Sequence, residues 1–173
     1  FIWNDGSDNN VVAGNYIGTD ASGSYAIPNG HTGVAIGDSA SGNRVGTDGS
    51  DDPYNGSERN VISGSVHGGV YIAHLGSDYN LLAGNYIGTD AAGGAALPNG
   101  TGVYISGGGS HTVGGTAAAD GNLLSGNGYQ GVYITSSTGN TVSANLIGTD
   151  VSGTRFEIMK AVKKPFTVQL RRC

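Results

Sequence analysis

Four carboxylates crowd the stretch DGSDDPYNGSER, which runs from Asp48 to Arg59. Asp48, Asp51, Asp52 and Glu58 supply hard oxygen ligands of the kind calcium takes. Asp51 and Asp52 beside Arg59 also have the types needed for acid–base work on a sugar, with the guanidinium stabilising charge. The plainest reading is a solvated acidic loop held by pairs between its carboxylates and Arg44 or Arg59. The residues leave all three readings open. The acids share one loop rather than facing each other from separate elements, which weighs against catalysis. No cofactor is demanded, and calcium is the one ion the stretch suits.

Two further groups of side chains carry chemistry. Tyr71, Tyr104 and Tyr133 each hold the third place of a Gly-Val-Tyr-Ile phrase, and Ala35 holds it in a fourth copy. Val and Ile at places two and four face one way, so the tyrosines face the other. An outward row of Tyr can stack on the rings of a linear glycan, or simply cover its own sheet. His31 and His67 each precede such a phrase by two residues. Stacked on neighbouring strands they would lie about 5 Å apart, close enough for a shared metal. No third ligand recurs with them, so a metal-free surface pair is the simpler reading. His111 replaces an Asn in its repeat and reads as structural, and His74 as a loop histidine. There is no nucleophile elbow, phosphate loop or CxxC pair.

The elements that must position these groups are repeats. GNYIGTD stands at Gly14 and again at Gly84, with ANLIGTD at Ala144. The Gly-Val-x-Ile phrase starts at Gly33, Gly69, Gly102 and Gly131, giving spacings of 36, 33 and 29 residues. A second phrase, Asn-x-apolar-Ser/Ala-Gly, opens at Asn10, Asn60, Asn80 and Asn122, with a variant at Asn140. Each unit holds three short apolar runs separated by Gly, Asn, Asp and Ser, and none has helical period. Such periodicity means a solenoid whose coils share one core. We expect Val, Ile and Leu to stack in ladders. The strand-opening Asn43 and its counterparts should stack at a turn, amide on amide. Asp20, Asp90 and Asp150 belong to alternate coils and read as turn formers rather than ion ligands.

NLLSGN followed by GVYI and GNTVSAN resembles the right-handed parallel β-helix repeat of the pectin-lyase-like superfamily. The GNYIGTD repeats with their Pro-Asn-Gly loops resemble those of large secreted or surface proteins of bacteria. The resemblance covers residues 1 to about 154. It implies an all-β, right-handed parallel β-helix of about five coils with three short strands each. It further implies an extracellular or cell-surface scaffold, adhesin-like, binding a polysaccharide or surface glycan. The superfamily also contains polysaccharide lyases and glycoside hydrolases, and that is the alternative function. Fold alone does not choose between them.

Charge sorts the chain into two parts. Residues 1–154 hold twelve acids against Arg44 and Arg59, a poor surface for nucleic acid. Residues 155–173 carry six basic residues and lose the repeat, so they read as a second, non-repeat segment, either a cap or read-through. Phe1 falls where Tyr71 falls in its own repeat, which suggests a cut into a longer protein. Open solenoid ends predict end-to-end association. No apolar run reaches membrane-spanning length. The lone Cys173 has no partner within the chain.

Overall fold

The computed structural model describes residues 1–50 and 53–154. Five coils follow one another, each of three short strands. The first is β1 (Ile2–Trp3), β2 (Val11–Val12) and β3 (Tyr16–Ile17). The second is β4 (Thr32–Gly37), β5 (Arg44–Gly46) and β6 (Val61–Ile62). The third is β7 (Gly68–Ala73), β8 (Leu81–Ala83) and β9 (Tyr86–Ile87). The fourth is β10 (Thr101–Ser106), β11 (Thr112–Gly114) and β12 (Leu123–Leu124). The last is β13 (Val132–Thr135), β14 (Thr141–Ser143) and β15 (Leu146–Ile147). Three five-stranded parallel sheets result, β1-β4-β7-β10-β13, β2-β5-β8-β11-β14 and β3-β6-β9-β12-β15. The chain is therefore an all-β parallel solenoid. Residues 155–173, the expected second segment, lie outside the described residues.

Register explains why the sequence repeats. Ile2, Ile36, Ile72, Ile105 and Ile134 pair in one column of the first sheet. Val12, Val45, Leu82, Val113 and Val142 align in the second, and Ile17, Ile62, Ile87, Leu124 and Ile147 in the third. The middle members of each column are fully buried and meet in one apolar core. Each buried Ile or Leu contributes about 1.5–3 kcal/mol. A coil alone cannot enclose these side chains, so stability grows only by stacking.

The asparagines form two ladders rather than one. Asn10, Asn43 and Asn80 precede the second sheet, and each backbone N–H donates to the side chain of the next coil. Asn60 and Asn122 instead precede the third sheet, with Asn15, Asn85 and Asn145 of the GNYIGTD phrases. The Asn-x-apolar-Ser/Ala-Gly phrase thus serves two different sheets. Each amide satisfies backbone groups that a tight corner leaves unpaired.

His111 takes an Asn place in the first ladder. Its Nδ1 accepts from Asn80 N–H at 3.2 Å, and its own N–H donates to Asn140 Oδ1 at 3.0 Å. The ring is fully buried, and Nε2 has no hydrogen-bond partner among the described residues. Burial pushes the imidazole below its ordinary value; the poorly placed Gly107 carbonyl offsets only part of this. The fold accepts the neutral ring. Between the ordinary histidine value of about 6.5 and the lower folded one, the unfolded chain binds the proton more readily. Stability should therefore be full above about pH 6.5 and fall as pH drops through that window. His111→Asn restores the ladder amide and should flatten the profile there. Urea midpoints measured across the window decide it; equal slopes in both proteins would rule the explanation out.

Candidate functional site

The outer face of the first sheet carries the chemistry. Ala35, Tyr71, Tyr104 and Tyr133 stand in one register column. The rings stack on each other, with centroids 5.1 Å apart from Tyr71 to Tyr104 and 5.0 Å from Tyr104 to Tyr133. Interplanar angles of 33° and 26° leave them nearly face to face. The stack stops at Tyr71, because Ala35 brings no ring. Burial, with Tyr104 adding to it, raises the Tyr71 phenol above its usual value. It stays protonated, a hydrogen-bond donor.

His31 and His67 stand at the entrance of the same face. The Thr32–Gly68 pairing sets them side by side, and their ring centroids are 4.7 Å apart. Both are exposed. The His31 Nδ1 lies 2.9 Å from Thr32 Oγ1. His31, Thr32, His67, Gly68, Tyr71 and Tyr104 line a groove of about 260 Å³. The two features read separately in the sequence are therefore one site. The signal was present: His67 and Tyr71 flank one Gly-Gly-Val, and the register repeats it on neighbouring coils. Three imidazole, phenol and hydroxyl types meet there without a carboxylate among the lining residues.

A second aromatic group caps the far side of that face. The Trp3 indole lies against Gly37, where a Cβ would stand 2.5 Å from the ring, and meets His74 edge to face at 5.1 Å. His74 Nδ1 is 3.8 Å from Asp38 Oδ1. Trp3 shows no role in the sequence alone, because its partners come from the next two coils, Gly37 from the second and His74 from the third.

The acidic insertion lies elsewhere. It joins β5 to β6, at the corner between the second and third sheets, and Glu58 O accepts from Gly14 N at 2.9 Å. Asn55–Glu58 forms one helical turn. Asp48 Oδ1 accepts from Ser50 N–H at 2.8 Å, and hydrogen bonds from Ser50 hold its carboxyl below the usual range. Glu58 pairs with Arg44 at 3.1 Å. Arg59 donates from Nε to Gly84 O at 3.1 Å and lays its guanidinium 4.2 Å over the Tyr86 ring. Both arginines are thus committed to the scaffold. Asp51 and Asp52, which the catalytic and calcium readings need, lie outside the described residues. No group of three or more His, Cys, Asp or Glu with metal-site geometry occurs among the described residues.

Asp20, Asp90 and Asp150 build turns. Asp20 Oδ1 accepts from the N–H of Ser24 and Tyr25, at 2.8 and 2.9 Å. Asp90 Oδ1 does the same for Gly94 and Ala95. The Ser22 hydroxyl and then the Tyr25 N–H hold Asp20 down to about 2; Ser152 and Thr154 do so for Asp150. These loops reach across the intervening coil. Ala91 N donates to Gly23 O at 3.0 Å, and Val151 N to Gly93 O at 3.3 Å.

Fold and site together define a parallel β-solenoid with an aromatic and imidazole groove on one sheet. Comparison with models of protein families, with characterised proteins and with solved structures found no match to this chain.

Proposed function

We propose that the chain is a stretch of an extracellular or cell-surface repeat scaffold, of the pectin-lyase-like kind, that holds a glycan on the outer face of its first sheet. The groove bounded by Tyr71, Tyr104, His31 and His67 carries this reading. Sugars present hydroxyls with apolar ring faces, and a groove of phenols and imidazoles meets both. The stacked tyrosines cover each other's faces, so the glycan lies across their edges and hydroxyls rather than on every ring. Tyr133 extends that row beyond the groove. The outermost strands of each sheet pair on one side only among the described residues, so end-to-end stacking of copies is part of the proposal.

Affinity electrophoresis on a panel of neutral and acidic polysaccharides tests it. The chain should be retarded by at least one member, and Tyr104→Ala should weaken that retention roughly tenfold, the loss of one central aromatic contact of about 1–2 kcal/mol. Retardation by none, or equal retardation of the variant, would refute the glycan reading. New reducing ends or unsaturated uronate in the same samples would replace it with a lyase or hydrolase.

A further inference from the structure

We infer that His31 and His67 form a two-histidine chelate for a late first-row divalent metal ion, copper(II) most tightly. This goes beyond the glycan reading and rests on separate observations. The first is distance. An imidazole nitrogen lies about 2.0–2.1 Å from such an ion and about 1.1 Å from its own ring centre, so two rings on one ion have centres roughly 4.5–5.2 Å apart. The observed 4.7 Å falls inside that range without any movement of the backbone.

The second observation is orientation. The rings are inclined by 58° rather than lying flat against each other. Thr32 Oγ1 stands 2.9 Å from His31 Nδ1. With the Nδ1–H donating to that oxygen, the Nε2 lone pair is left to bind metal, the usual way an outer hydrogen bond fixes a ligand's tautomer. Thr32 is itself held, being nearly buried on β4.

The third is room. Both rings are exposed at the edge of the 260 Å³ groove, so water or an oxygen of a bound molecule completes the coordination. Imidazole suits copper, nickel and zinc, and copper leads in affinity at a site that does not impose geometry. Preorganisation comes from the sheet: Thr32 and Gly68 are paired neighbours, so the two ligands are presented together and no loop must be ordered on binding.

The full chain, free of any affinity tag and stripped of metal, is titrated with copper(II) chloride and with zinc chloride by calorimetry, and copper binding is read by electron paramagnetic resonance. We expect one ion per chain, with two equatorial nitrogens in the copper spectrum. His31→Ala and His67→Ala should each weaken binding roughly 100-fold, because either leaves a lone imidazole without its tethered second ligand. The double variant, with neither imidazole, should lose saturable binding altogether. Thr32→Val should cost about tenfold, as loss of an outer hydrogen bond does. His74→Ala should bind as the parent does. Circular dichroism confirms that these surface variants keep the fold. Absence of saturable one-to-one binding, single variants that keep most of the affinity, or loss on His74→Ala would overturn the assignment. No glycan enters the experiment, so its failure leaves the glycan reading untouched.

Discussion

Asn85→Ala should remove about 3–5 kcal/mol of stability, since it leaves at least two buried polar groups unpaired at about 1–3 kcal/mol each. Asn85 is fully buried in the centre of the second ladder. Its Oδ1 accepts from the Asn60 backbone N–H at 3.3 Å and from Asn60 Nδ2 at 2.9 Å. Its Nδ2 shares two hydrogens among Val45 O, Ala83 O and Asn122 Oδ1, at 2.8 to 3.0 Å. Alanine supplies neither half, and the corner is too enclosed for water to substitute freely. Asn85→Asp should be no milder: the oxygen replacing Nδ2 would point a buried charge at three carbonyl oxygens, those of Val45, Ala83 and the Asn122 side chain. Asn15 ends the same ladder and is exposed. Asn15→Ala should cost about 1 kcal/mol or less, because water serves the groups it abandons. Urea midpoints of the three variants check the argument. Equal losses at Asn15 and Asn85 would show that the ladder's amides do not act by satisfying buried groups.

That contrast also shows what a reader of the sequence could see. The stacking of like residues follows directly from repeats of about one coil's length, and the Tyr column follows from the third place of GVYI. The division of the asparagines into two ladders does not follow from the phrase itself. NLLAG at Asn80 begins 11 residues after Gly69, whereas NLLSG at Asn122 begins 20 after Gly102. Position in the coil, rather than wording, decides which sheet receives the run. The stacked loops of Asp20, Asp90 and Asp150 were legible as turns, since Asp accepts from backbone N–H groups a few residues on. Their reach across a whole coil was not, because it depends on the second and fourth coils having no such loop to block it. The groove was legible only as two halves. His31 and His67 lie before the phrase and the tyrosines inside it, and joining them requires the register that only paired strands supply.

Gly46→Ala should cost several kcal/mol, and its reason accounts for the alternation of two coil types. Gly46 ends β5 at φ +97°, a region that costs a residue with a side chain about 1–2 kcal/mol. A Cβ there would collide with the carbonyl oxygen of Ala83 on the next coil and stand 2.6 Å from both amide atoms of Asn85. Overpacking against backbone adds about 1–3 kcal/mol, and the ladder would have to shift as well. Gly114 repeats the arrangement at φ +94°, against Ser143 of the next coil. The intervening coils turn one residue later, with positive φ at Gly14, Gly84 and Ala144. Two corner geometries therefore alternate, each leaving space for the other, and GNYIGTD recurs on every second coil because it belongs to one of them. Gly148 isolates the backbone share, since it has φ +75° with nothing near its missing Cβ. Gly148→Ala should lose only about 1–2 kcal/mol. Thermal unfolding of both variants gives the comparison; a loss at Gly46 no larger than at Gly148 would mean that neighbouring coils do not interlock at this corner.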